Sequence, residues 1–161
     1  MKRLVTVVLF LAAASGTLLA GGPKWRTFDA GLAEARMTHK KVLVDVYTDW
    51  CKWCKKLDAD TYSNSKVLAY LEKTYVPVKM NGEGMGKVAY KELKGTETDL
   101  TRAFGVRGFP TIIFLDSDGE MITQIATYLD ADRFLPVIKF IGDDKYKTMS
   151  FDDYTKGAAK Q

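Results

Sequence analysis

The only two cysteines of this 161-residue chain, Cys51 and Cys54, stand three positions apart in the octapeptide DWCKWCKK. A pair at that spacing can clamp a metal, attach a haem, staple the fold or carry electrons. Zinc takes four ligands, or three and a water, and the chain has one histidine, His39. It lies in the polar stretch MTHKK at an expected helix end, where a solvated imidazole is the ordinary reading, so no metal site is assigned. Covalent haem attachment needs a histidine directly after the second cysteine, and Lys55 holds that position. A bridge across so short a loop constrains the unfolded chain little, so a structural staple would join more distant segments. A redox-active dithiol fits better. At the start of a helix, positions i and i+3 come within disulfide reach. A thiolate at Cys51 would gain from free N–H groups and the helix dipole there. Lys52, Lys55 and Lys56 add positive potential, weakened by screening. Cys51 is therefore the expected nucleophile and Cys54 the resolving thiol, with no metal or organic cofactor required.

Several elements must position this pair. KVLVDVYT (41–48) is β-branched and apolar, which predicts a strand buried on both faces, interrupted by one charge at Asp45. Before it, Phe28, Leu32 and Ala35 recur at helical spacing, with Asp29 near the helix start. After it, the cysteine segment begins a helix that DTYSNSKVL breaks or restarts. VPVKMN (76–81) is a second strand. GEGMG is read as a loop, since it lacks phosphate-loop spacing, and KVAYKELKG as a short helix. TETDLTRAFGV predicts a capped helix ending at Gly105. TIIFLD (111–116), the turn SDG and EMITQIATY form a hairpin, and DADRFLPVIKFIG a closing helix. The tail 143–161 spaces Tyr146, Met149, Phe151 and Tyr154 among polar residues, compatible with a docked helix or a frayed end. The order predicts an α/β fold with a mixed sheet.

Composition narrows the partners. Hydrophobic content of 47% suits a globular core. Of the net charge of +4, Lys2 and Arg3 supply two, and the remaining charges are interspersed, so no nucleic-acid surface is read. Lys2 and Arg3 lead an apolar run from Leu4 to Ala14, followed by small residues, the order of a secretory signal peptide over residues 1–20. For cleavage after Ala20, Leu18 sits poorly at −3, whereas Gly16 with Ala14, or Ala14 with Ala12, fits the small-x-small rule better; an uncleaved anchor is the alternative. Export would place the cysteines in a disulfide-permissive compartment.

Together these features resemble the thioredoxin superfamily over residues 26–142. VDVYTDWCKWCK is similar to the family's strand and active-site helix, VRGFPT (106–111) to its cis-proline segment, and FLDSDGE to the following hairpin. The stretch DWCKWCK…YSNSKVLAYLEKTYVPVKMN resembles exported bacterial thioredoxin-like proteins and the C-terminal domain of the membrane disulfide reductant DsbD. The resemblance implies a thioredoxin-like domain at 24–142 whose central mixed sheet has four to five strands. It implies a redox disulfide Cys51–Cys54 and a buried acid, Asp45, that accepts the Cys54 proton beside Lys79. It implies a substrate surface of Trp50, Trp53, Phe109 and cis Pro110. The implied activity is a monomeric, exported, periplasmic thiol–disulfide oxidoreductase, acting on protein thiols and disulfides and served by a membrane or periplasmic redox partner. The reducing direction is favoured. The alternatives are an oxidase or isomerase, or a non-catalytic binding module or metal chaperone. Two departures bear on this: Lys52–Trp53 replaces the Gly-Pro of thioredoxins, and Thr127 stands where many relatives have glycine beside the groove.

Overall fold

Val42 to Val46, five consecutive residues, are buried in strand β1 (Lys41–Tyr47), which makes this strand the centre of the architecture. The computed structural model describes residues 21–158, so the signal-peptide reading of residues 1–20 lies outside the described residues. β1 pairs in parallel with β2 (Tyr75–Asn81) and antiparallel with β5 (Thr111–Leu115), which pairs antiparallel with β6 (Met121–Ile125). The sheet order is β2-β1-β5-β6. Pro77 is tolerated because β2 is an outer strand of this sheet, where a missing N–H costs no ladder bond.

Side chains alternate across β1, and the two faces are covered differently. Val42, Val44 and Val46 pack with Phe28, Leu32 and Ala35 of α1 (Phe28–Thr38) and with Leu100 of α4 (Glu97–Ala103). Leu43 faces Leu57, Tyr62, Val67 and Leu71, and also Phe134 and Ile138 of α5 (Ala131–Gly142). Each fully buried Val, Leu or Phe contributes about 1.5–3 kcal/mol. Asp45 shares the face of Leu43, beneath the cysteine-bearing helix.

That helix begins as α2 (Lys52–Lys56), continues through a π-helical turn (Leu57–Tyr62) and restarts as α3 (Ser65–Thr74). The restart is capped by Asn64, whose Oδ1 accepts from the N–H groups of Lys66 and Val67 at 3.0 and 3.3 Å. The expected cap on α4 is a capping box between Thr96 and Asp99, and Gly105 follows the helix at φ 71°, a left-handed conformation that suits glycine.

One element differs from expectation. KVAYKELKG is a β-hairpin, β3 (Lys87–Tyr90) with β4 (Leu93–Thr96), and not a short helix. Its helix-forming residues yield to tertiary contacts. Val88 is buried, Tyr90 meets Phe28 edge-on at 5.6 Å, and the Tyr90 hydroxyl donates to the Gly119 carbonyl at 2.9 Å. The expected strand EMITQIATY is also shorter, ending at Ile125. The tail forms a 3₁₀ turn (Lys145–Lys147) and α6 (Phe151–Ala158). Phe151 and Tyr154 pack on Phe140 of α5 at 5.3 and 5.4 Å, so this segment docks.

Candidate active site

The chain leaves β1 at Tyr47 and reaches Cys51 within one turn, with the Cys51 N–H donating to the Thr48 carbonyl at 3.1 Å. Cys51 is the N-cap of α2 and is bonded to Cys54, their Cα atoms 5.3 Å apart. The Cys54 N–H donates to the Cys51 sulfur at 3.1 Å. An open helix start therefore already aims a donor at this sulfur. Both residues are nearly covered, Cys51 at 4% and Cys54 at 2% exposure, so exposure barely separates them. Their helix position does. The rim above them is aromatic, with Trp50 and Trp53 at 64% and 56% exposure.

On the face of β1 that this helical run covers, Asp45 is fully buried. Lys79 is its register partner on β2 and donates to Asp45 Oδ2 at 2.6 Å. Asp45 Oδ1 has no hydrogen-bond partner among the described residues. Burial pushes the Asp45 carboxyl up to about 6, against the downward pull of the Lys79 ammonium. Burial alone would lower Lys79, but the Asp45 and Asp58 carboxylates together hold it above its usual value. Asp58 lies 2.5 Å from the Lys79 ammonium, at a partly exposed position. Trp25, Tyr47 and Tyr62 present their rings to the same ammonium at 4.8, 5.1 and 5.7 Å. The Tyr62 hydroxyl is buried without a partner among the described residues, and burial drives it well above its normal value.

A third component comes from the loop before β5. The Phe109–Pro110 peptide is cis. The Phe109 ring meets Trp50 edge-on at 5.9 Å, and the Trp50 indole N–H donates to Glu83 at 3.0 Å. A Cβ at Gly82 would lie 2.4 Å from the Phe109 ring, so glycine there permits the close approach. Between this loop and the cysteine helix lies a groove of about 350 Å³ lined by Trp53, Phe109, Pro110, Ala126, Thr127 and Tyr128.

The fold thus gathers the sequence-derived residues into one region. Cys51 and Cys54 begin the helical run whose Asp58 reaches Lys79 and, through it, Asp45, while Trp53, Phe109 and Pro110 line one groove and Trp50 packs on Phe109. His39 is exposed at the other end of β1 from the cysteines. Among the described residues no cluster of three or more metal-ligating side chains forms. Sequence reasoning missed Asp58 and Tyr128. Asp58 carried a signal, since it stands four residues after Cys54 on the same helical run and so on the same side. Tyr128 carried none, because it reaches the groove through the fold alone.

A family profile described as a thioredoxin-like domain matches residues 28–142. The chain is 34% identical over 108 residues to the thiol:disulfide interchange protein DsbD of Yersinia pestis (strain Pestoides F), covering 66% of this chain and 16% of that one. It is 32% identical over 99 residues to DsbD of Actinobacillus pleuropneumoniae serotype 5b (strain L20), covering 60% of this chain and 15% of that one. The chain therefore spans about a sixth of the length of these relatives. Among solved structures, a thioredoxin-fold protein from Helicobacter pylori is similar with a TM-score of 0.63 and 25% identity, covering 74% of this chain and 80% of that one.

Proposed function

The chain belongs to the thioredoxin-like family, and from that premise we propose that it is an exported thiol–disulfide oxidoreductase that reduces protein disulfides. The observation that carries the reading is the Cys51–Cys54 disulfide at the start of the helical run whose Asp58 reaches the buried Asp45–Lys79 pair. In the reduced protein the Cys51 thiolate attacks one sulfur of a partner disulfide. A mixed disulfide forms and the partner's other sulfur leaves as a thiolate. Cys54 then gives up its proton and attacks the Cys51 sulfur. That step closes the intramolecular disulfide and expels the second partner thiolate.

Each residue near the pair has a part in this scheme. The Cys54 N–H and the helix start favour the Cys51 thiolate. Asp45, poised near neutral pH, accepts the Cys54 proton, and Lys79 sets how readily it does so. Trp50, Trp53, Phe109 and Pro110 form the surface against which a partner strand is laid. A redox partner in the membrane or periplasm returns two electrons to the pair for each cycle. Residues 24–142 form the working domain in this scheme, residues 143–161 are an appendage whose Phe151 and Tyr154 pack on α5, and residues 1–20 direct export. The likeness to DsbD supports the reducing direction.

The test is intermediate trapping. Cys54→Ser should accumulate mixed disulfides with partner proteins, visible on non-reducing gels and cleared by dithiothreitol, while Cys51→Ser should accumulate few. Equal trapping of the same species by both variants would remove the assignment of attacker and resolver.

A further inference from the structure

The groove beside the disulfide has a wall that thiol exchange itself does not require. Trp53 lies between the two cysteines in sequence and is 56% exposed. Its indole meets the Tyr128 ring with centroids 5.3 Å apart and planes inclined by 39°. Tyr128 is held from behind: its hydroxyl donates to Asp60 at 3.4 Å. Lys56, 2.5 Å from the same carboxylate, stands 5.7 Å from the Tyr128 ring centre. The two rings thus form a fixed shelf, continuous with the disulfide through Trp53, over a floor of Phe109 and Pro110.

The chemistry of this wall selects its occupant. None of the residues lining the groove is charged. Lys56 stands beside the Tyr128 ring and already engages the carboxylate behind it. A basic side chain would meet the Lys56 ammonium, and none of the residues lining the groove offers it an acid. An aromatic or branched aliphatic side chain would cover indole and phenol surface at ring distances that favour offset or edge-on contact.

We infer that Trp53 and Tyr128 form a specificity shelf, receiving an aromatic or large aliphatic side chain that neighbours the reacting cysteine of an extended partner segment. The inference rests on the oxidoreductase reading above and adds the class of substrate. The contact forms when the partner docks, before sulfur is attacked, so it acts on the half-saturating concentration and leaves the maximal rate little changed.

The experiment mixes pre-reduced protein with excess peptide disulfide dimers in a stopped-flow instrument and follows tryptophan fluorescence. Each turnover converts one protein dithiol and one peptide disulfide into the Cys51–Cys54 disulfide and two peptide thiols. The peptides are identical except for Phe, Leu, Ala or Lys at one of the two positions on either side of the cysteine. At one or more positions Phe and Leu should lower the half-saturating concentration about tenfold relative to Ala, and Lys should raise it. The Phe-to-Ala ratio should fall towards one in Tyr128→Ser and in Trp53→Ala. Equal half-saturation for Phe and Ala peptides at every position in the wild type overturns the shelf, and this series stands by itself if a variant does not fold. An undiminished ratio in both folded variants overturns it equally. Hydroxyethyl disulfide, which has no side chain to dock, separates the two levels. Failure of the wild type to reduce it defeats the oxidoreductase reading and the shelf with it, while reduction of it without a Phe preference defeats the shelf alone.

Discussion

The two faces of β1 are equally dry and chemically opposite. Val42, Val44 and Val46 point into a wholly apolar cluster, whereas the alternate positions carry Leu43 and Asp45, the latter with 0% exposure. A carboxylate in such a place costs several kcal/mol unless it is paired or protonated. Lys79 satisfies one oxygen, and the other has no partner among the described residues. The apolar face therefore holds the sheet to α1 and α4. The other face carries an arrangement that stability alone does not explain, and the helical run that begins at the cysteines packs on that face.

The comparison can be broken by moving the charge. Val44→Asp places a carboxylate on the apolar face without a cation, and should destabilise the protein by about 4 kcal/mol or prevent folding. Urea unfolding at pH 7.5 measures this. A loss of under about 1 kcal/mol would mean that the two faces do not differ as described.

A smaller effect sharpens the comparison. Asp45 has its folded value raised from 3.8 to about 6, so between these values the folded state binds the proton more tightly than the unfolded state. Its contribution is then least unfavourable below pH 4, and stability is lost as pH rises through 6, approaching about 3 kcal/mol for the full shift. Asp60, Asp99, Asp130 and Asp144 are shifted down and act in the opposite sense, so the wild-type curve alone is a sum. The difference between Asp45→Asn and wild type isolates the buried group. The variant should gain on the wild type by about 2–3 kcal/mol between pH 4 and pH 7.5 in urea midpoints of the oxidised protein. A flat difference would show that Asp45 does not titrate in this range.

Much of this arrangement is legible in the sequence because it is local. One acid in an apolar, β-branched run marks a buried charge, and two cysteines directly after that run must sit near the strand's end. The register that sets Lys79 beside Asp45 joins residues 34 positions apart and was reached through family resemblance, not periodicity. The rings around the Lys79 ammonium come from the segment before α1, from β1 and from the π-helical turn, and no single segment encodes them. The hairpin β3–β4 departs from the expected helix for the same reason. Its residues favour a helix in isolation, and the contacts of Val88 and Tyr90 with Phe28 and Phe104 decide otherwise. The tail was ambiguous until Phe140 of α5 supplied its partner.

The central claim is that the buried acid serves the second sulfur. Reduced protein mixed with an excess of a chromogenic aromatic disulfide releases coloured thiolate in two phases, first as Cys51 attacks and then as Cys54 resolves the mixed disulfide. In the wild type the second phase should rise with pH through an inflection near 6, the value to which burial brings Asp45. Asp45→Asn keeps the shape but cannot take the proton, so it should slow that phase by about 10²-fold and remove the inflection, with the first phase little changed. A second phase with the same rate and the same pH dependence in both proteins would contradict the account, and Asp45 would then be a structural residue only.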